Sequence, residues 1–488
     1  MKLSLLSLLM ICGLAFNMKA EETPVVGKRQ PLSGHVESIS CDLTGPRYRQ
    51  SLVALATLDA SSGQVITAYN SDLPLVPASV LKLVTTATAL ELLGPEHRFE
   101  TGLDYVGTLK NGVLEGDLVI RGGGDPTLGS KHLGENSDAY LSTLISQVKA
   151  AGIKAVKGRV VGDAGLFDEE PLSPYWLWED IGNYYAAGIC GLGVRDNSYT
   201  LNLRSGAPGS NPDVLGTEPP LPRLQIDNHL VAAPNNKDSA YLYGQPYDWH
   251  RSLHGTMPAN KAFFSIKGDL PDPPLYAASA LRDALVKNGI TVDKAPATLR
   301  TYSLPKAKCV RLGVVKSPPL KQIITIIHHH SDNIYAEYLL RQLAGVQYAP
   351  PYTARQGLSV IYDYWQRKGL DTDGLLMVDG SGLSPVNRLS ARFLGDLLAF
   401  MSSRSNYGEV FEATLPKAGM EGTVASFLKG TSLAGKFRLK SGSNQYTTAY
   451  AGYGSLNGTK QVVVMLVNHT NLSPWQIRKD MADFLLGR

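Results

Sequence analysis

The feature that most constrains this chain is that its two ends read alike. Leu52 to Leu58 is an apolar run of strand length, Asp59-Ala60-Ser61-Ser62-Gly63 a turn, and Val65 to Tyr69 a second strand, so a hairpin is expected. A helix over Val80 to Leu93 follows, with Leu83, Ala87 and Leu90 on one face and Gly94-Pro95 as its stop. At the far end, Tyr446 to Tyr453 and Gln461 to Asn468 read as strands around an Asn457-Gly458 turn, and Pro474 to Leu486 as an amphipathic closing helix. Strands from both ends commonly share one sheet, which makes the middle an insertion. Its texture differs: residues 103–127 alternate short strands with Gly/Asn/Asp turns, 139–163 read as helix, Gly152 and strand, and 200–260 are rich in Pro, Asn and Gly. The expected organisation is a leader at 1–20, a first part of the main domain at 21–102, one or two mostly β inserted domains at 103–270, and the second part at 271–488, where helices resume at Pro274 to Asn288 and Pro319 to His330. The fold class is α+β, an antiparallel sheet flanked by helices.

Of the 488 residues 43% are hydrophobic and 18% charged, enough apolar material for a real core. A formal net charge of +4 with no basic stripe speaks against a nucleic-acid binder. Met1-Lys2 is followed by an apolar run from Leu3 to Phe16, the length of a signal-peptide core and too short for a comfortable membrane span. Cleavage after Ala20 is expected, giving an extracytoplasmic chain with weak or no membrane association. Ile11 stands where a lipoprotein would need a small residue before Cys12. Beyond the leader lie Cys41, Cys190 and Cys309, an odd number that allows one disulfide at most and carries no zinc-site spacing.

Three short motifs could carry chemistry. Ser79-Val80-Leu81-Lys82 opens the first helix, with Ser79 and Lys82 on one face. A serine needs a nearby base to become a nucleophile, and a buried lysine can serve. Ser331-Asp332-Asn333 joins two helices, where the bland reading is a helix cap. Lys440-Ser441-Gly442-Ser443 precedes the Tyr446 strand, and its cation and hydroxyls suit a carboxylate, with glycine allowing close backbone approach. Each is common alone. Together, in this order and these contexts, they form the S-x-x-K, S-D-N, K-T-G set of β-lactamases and penicillin-binding proteins, with Ser for Thr in the third.

On these motifs the chain resembles the class C low-molecular-mass penicillin-binding proteins, the D-alanyl-D-alanine carboxypeptidase/endopeptidase group of penicillin-binding protein 4 type. Gly122-Gly123-Gly124-Asp125-Pro126-Thr127-Leu128, Asp196-Asn197-Ser198, Asp379 to Ser384 and Leu415 to Thr423 extend the likeness over nearly all of residues 40–488. The long gap between Ser79 and Ser331 fits domains inserted after the first motif. The resemblance implies a β-lactamase/DD-peptidase-like transpeptidase domain and a periplasmic enzyme cutting D-Ala–D-Ala bonds or D-amino-acid crosslinks of peptidoglycan stem peptides, with β-lactams as covalent inhibitors and no cofactor. It implies Ser79 as nucleophile, Lys82 as general base, Ser331 as proton relay, Asn333 as holder of the substrate amide, Lys440 as positive potential and Ser441 as carboxylate ligand. Gly442 and Ser443 complete the substrate edge, the amides of Ser79 and Ser443 the oxyanion hole, and Asp163 contacts the substrate's diamino-acid side chain. With all motifs outside 103–270, that span is expected to vary without loss of acylation chemistry.

Two other readings compete. A β-lactamase would share the acylation, but no deacylation glutamate is evident after the second motif; a non-catalytic cell-wall binding protein would not need the intact motif residues. His328-His329-His330 splay around a helix and cannot converge on a metal, Gly122-Gly123-Gly124 lacks the lysine of a phosphate loop, and Trp176, Trp178, Tyr184 and Tyr185 read as core rather than as a platform for sugars.

Overall fold

The computed structural model describes residues 42–487 apart from Glu135 and Asn457. The expected leader at 1–20, Cys41 and half of the Asn457-Gly458 turn lie outside the described residues.

The chain ends meet in a five-stranded antiparallel sheet. Its order is Phe437–Asn444, Thr447–Leu456, Thr459–Asn468, Leu52–Asp59 and Val65–Tyr69. Leu52 pairs with Asn468 and Asp59 with Gln461, joining residues some four hundred positions apart. The Val462–Val467 run is buried on both faces, as its unbroken apolar sequence requires. Ala54, Ala56, Leu58, Val462, Val464 and Leu466 face a helical layer formed by Lys82–Leu93, Leu320–His330, Asn333–Ala344, Ala354–Arg367 and Ala391–Ser403. The alternate residues Val53, Leu55, Val463, Met465 and Val467 face Ile477, Met481 and Leu485 of the closing helix Pro474–Leu486. Each such aliphatic side chain contributes roughly 1.5–3 kcal/mol by leaving water.

A second, seven-stranded sheet begins at Glu100. Where short strands were expected after residue 103, two long ones, Glu100–Lys110 and Val113–Arg121, form a hairpin. Its turn is Asn111-Gly112, both at positive φ, the pair of residue types that tolerates this tight turn best. Ala155–Val156 and Val160–Asp163 add in parallel, and Cys309–Lys316 pairs antiparallel with Glu100–Lys110. Strands at Thr291–Val292 and Ala297–Thr298 also join, so this sheet runs past residue 270 and takes its last strand from 309–316. Local pattern could not show that pairing, because both partners are ordinary alternating strands distant in sequence. Helices Ala139–Ala150 and Pro273–Lys287 cover one face. Two smaller sheets complete the middle, one built from Ser198–Arg204, Asp213–Glu218 and Phe264–Asp269, the other from Gln225–Asn228, Val231–Ala233, Ser239–Tyr243 and His250–Pro258. The fold is α+β, as the sequence predicts.

Candidate active site

The Ser79 motif does not open directly into an α-helix. Ala78–Leu81 is a 3-10 turn, and the α-helix starts at Lys82. The cause lies upstream: Asn468 on the sheet clamps both backbone groups of Val76, donating to its carbonyl (3.1 Å) and accepting from its amide (2.7 Å), and Ala78 takes φ +47°. A side chain on Gly382 would strike the Ala78 carbonyl at 2.0 Å, so glycine there lets this bend form. Ser79 is left half-exposed at the head of the helix while Lys82, one turn on, is fully buried.

Lys82 Nζ lies 2.9 Å from Ser79 Oγ, 2.6 Å from Asn333 Oδ1 and 2.6 Å from the Ser381 carbonyl oxygen. Burial pulls its pKa down to about 8, against the opposing pull of the Asp379, Asp332 and Glu337 carboxylates. Two of these carboxylates also build the floor. Glu337 Oε1 accepts the amides of Gly380 and Ser381, and Asp379 accepts from the Gly382 and Ser384 amides, Asn387 Nδ2 and Trp176 Nε1. Glu337 is fully buried beside Asp379, and desolvation with that neighbouring charge raises its pKa.

Ser331 sits in the left-handed region, φ +57°, and ends the helix Leu320–His330. Asp332 then caps the next helix, its side chain accepting from the Tyr335 amide at 3.0 Å. The bland cap reading thus holds for Asp332, and it is this cap that turns its neighbours to useful work. Asn333 reaches Lys82 with its oxygen and donates with Nδ2 to the Tyr185 carbonyl at 2.9 Å. Ser331 Oγ accepts from Lys440 Nζ at 2.8 Å.

Lys440, Ser441, Gly442 and Ser443 lie on Phe437–Asn444, the edge strand of the five-stranded sheet. A side chain at Gly442 would come within 2.7 Å of the Pro77 carbonyl and 3.1 Å of the Ser79 amide, so the strand is pressed against the Ser79 turn. Lys440 is fully buried, and desolvation together with the Lys82 charge holds its pKa well below the usual lysine range. Ser441 Oγ donates to Thr423 Oγ1 at 2.7 Å, and Ser443 is exposed.

Asp163 stands apart in its bonding. It ends the strand Val160–Asp163, pairs with Arg121 on the neighbouring strand in an ion pair, and accepts from the Gly165 amide at 2.9 Å. None of these partners is a motif residue. His328 is enclosed between Thr86 and Thr414, and His330 packs against His132. Cys190 is buried and Cys309 exposed, both as free thiols. The expectation of an aromatic core at 176–185 holds for Trp176 alone of the tryptophans. Trp178 is 65% and Tyr184 47% exposed, while the segment that carries them is bonded to neighbouring strands through the Gly182 carbonyl and Asn183 Oδ1.

The carbonyls of Ser381 and Tyr185, the carboxylate of Glu337 and the hydroxyl of Thr423 were not singled out in the sequence. Main-chain acceptors leave no side-chain signature. Glu337, however, stands one helical turn after Asn333, a spacing that marks it as a neighbour.

Residues 35–486 match the D-Ala-D-Ala carboxypeptidase 3 (S13) family. The D-alanyl-D-alanine carboxypeptidase of Actinomadura sp. (strain R39) is 29% identical over 431 residues, 86% of this chain and 78% of that one. DacB of Haemophilus influenzae, also a D-alanyl-D-alanine carboxypeptidase, is 24% identical over 88% of this chain and 87% of its own. The crystal structure of penicillin binding protein 4 (dacB) from Haemophilus influenzae superposes with a TM-score of 0.76, at 23% identity, covering 90% of this chain and 96% of that one. The same protein complexed with a β-lactam gives 0.71, at 22% identity, covering 90% and 95%. With all three motifs inside the matched span, the chain belongs to the D-Ala-D-Ala carboxypeptidase 3 (S13) family.

Proposed function

We propose that this serine D-Ala-D-Ala carboxypeptidase works through an acyl-enzyme on Ser79, with Lys82 as its base. The observation that carries the reading is the set of three partners around Lys82 Nζ. Asn333 Oδ1 and the Ser381 carbonyl can only accept hydrogen bonds. A neutral amine satisfies both with its two N–H groups and turns its lone pair to the Ser79 hydroxyl, the geometry a general base needs. Burial that brings its pKa to about 8 makes the neutral form accessible near physiological pH.

The steps follow. Ser79 Oγ gives its proton to Lys82 Nζ and bonds to the carbonyl carbon of the penultimate D-Ala. Charge collects on the carbonyl oxygen, where the Ser79 and Ser443 amides form the oxyanion hole. The carbon–nitrogen bond breaks, and the leaving amine takes a proton through Ser331, which is bonded to Lys440. Water then cleaves the ester and restores Ser79. Ser441 and Lys440 receive the substrate's terminal carboxylate. That anion raises the affinity of Lys440 for its proton, so substrate itself restores the positive charge that burial suppresses in the free site. A crosslinked peptide in the same cleft gives endopeptidase activity by identical chemistry. Asp163 meets a substrate's diamino-acid side chain only if Arg121 releases it.

The test is mass spectrometry after incubation with a β-lactam. A stable adduct on Ser79 is expected; rapid loss of the adduct would mean a β-lactamase, and no adduct a binding protein. The apolar run after Lys2 and the peptidoglycan peptides as substrate favour an extracytoplasmic mature chain starting near Glu21, which N-terminal sequencing of that fraction checks. No helix among the described residues is long and apolar enough to cross a membrane.

A further inference from the structure

The cleavage chemistry leaves one surface feature unused. Residues 173–185 of the insertion cross the rim of the site and are tied to it at both ends. Trp176 Nε1 donates to Asp379 Oδ2 at 3.0 Å, and Ser384 Oγ to the Tyr175 carbonyl at 2.8 Å. At the other end the Tyr185 carbonyl accepts from Asn333. Between these anchors the segment turns large rings outward. Trp178 is 65% exposed and stacks on Tyr243, with centroids 6.1 Å apart and planes inclined by 27°. Tyr243 then meets His254 edge-on, with centroids 5.6 Å apart and planes at 81°, and His254 stacks on His229 at 4.9 Å and 26°. Polar groups border it: Ser252 Oγ lies 2.6 Å from His254 Nε2. Trp178, His254 and His229 are exposed and Tyr243 partly so, and a cluster of rings open to solvent marks a docking surface.

The row is anchored to the cleft that takes the stem peptide, so its occupant is joined to that peptide. On the reading given under Proposed function, the peptide hangs from a polymer of pyranose rings. Such rings offer apolar C–H faces to exposed aromatic rings and equatorial hydroxyls to flanking polar groups. An acidic or basic protein partner would find little here, since the row carries rings and hydroxyls rather than a block of one charge. We propose that Trp178, Tyr243, His254 and His229 form a docking strip for the glycan strand of peptidoglycan, holding the polymer while its peptide enters the Ser79 cleft.

The experiment uses the mature full-length protein and its Trp178→Ala, His254→Ala and Trp178→Phe variants. The probe is glycan strands stripped of their stem peptides, pelleted with bound protein. Wild type should co-sediment, each alanine variant should bind roughly two- to tenfold more weakly, the worth of one aromatic contact, and Trp178→Phe should recover most of the loss. In parallel, kcat/KM on a disaccharide-linked pentapeptide should fall by a similar factor through KM, while the sugar-free pentapeptide is cut at the wild-type rate. Penicillin acylation is the control: its absence in wild type would sink the peptidase reading and leave the pelleting result to judge the strip alone. Failure of wild type to pellet with bare glycan, or equal losses on both peptides, overturns the strip.

Discussion

Two buried lysines about one serine cannot both keep their protons cheaply. Lys82 is surrounded by the Asp379, Asp332 and Glu337 charges, whereas Lys440 is opposed by Lys82 and by burial alone. The acylation rate by a penicillin should therefore rise with pH around a midpoint of about 8 and level off above it, as Lys82 sheds its proton. Replacing Glu337→Gln keeps an oxygen for the Gly380 and Ser381 amides but removes a charge that holds the Lys82 proton, so the midpoint should move toward lower pH; an unmoved pH–rate profile would contradict this. The same shift has a stability side. With a folded pKa of about 8 against 10.5 for a lysine in water, the folded chain binds fewer protons than the unfolded one between those values. The Lys82 contribution thus destabilises by about 3 kcal/mol below pH 8 and is relieved as pH climbs through that window. Lys82→Ala should slow acylation by ~100- to 10,000-fold, and Lys82→Arg nearly as much, because a guanidinium does not give up its proton. Ser79→Ala should abolish it, and the double variant should be no worse. A fluorescent penicillin reads all four.

At the scale of elements, the site depends on one strand lying against one turn. Gly442→Ala would set a methyl 2.7 Å from the Pro77 carbonyl. The strand must yield, at roughly 1–3 kcal/mol as for other overpacked positions, and with it move Lys440 and Ser441. Thermal unfolding should show a modest loss and acylation a much larger one. The elements themselves were largely legible. The hairpin at 52–69, the helices ending at Leu93 and Leu486, and the Ser331 break between helices all follow from apolar period and turn residues. The 3-10 start at Ala78 was not, since a clamp from Asn468 imposes it and no local propensity announces it. The long Glu100–Arg121 hairpin looks broken in sequence because Gly107 and Gly116 interrupt it. In the sheet those two glycines sit opposite one another, where side chains would collide. The proposed catalytic residues were legible as a set of spacings, their supports less so, because those supports are carbonyls and a single buried carboxylate.

Over the whole molecule, the insertion is not a passenger. The sequence leaves 103–270 free to vary, yet Trp176 and Tyr185 from that span bond to Asp379 and Asn333. Ile334 and Tyr338, on the Asn333 helix, pack against Phe167, Ala187 and Ile189. Excising the span should abolish acylation. Because such a deletion also removes most of the strand that pairs with Cys309–Lys316, a point variant gives the sharper check. Trp176→Phe removes one N–H from a buried carboxylate and should cost roughly 1.5–3 kcal/mol of stability, the worth of a hydrogen bond to a charged group. It should also lower the acylation rate.

The pairing of Leu52–Asp59 with Thr459–Asn468 carries a further consequence, one of timing. Ser79 and Lys82 are made early, but the residue that clamps their turn, Asn468, and the strand that closes on it are made almost last. Contacts between such remote positions form slowly and late. Throughout synthesis the proposed nucleophile is therefore present and unarmed. A chain halted before about residue 470 should be blind to penicillin however well its early segments fold, and the enzyme acquires its chemistry in a single closing step.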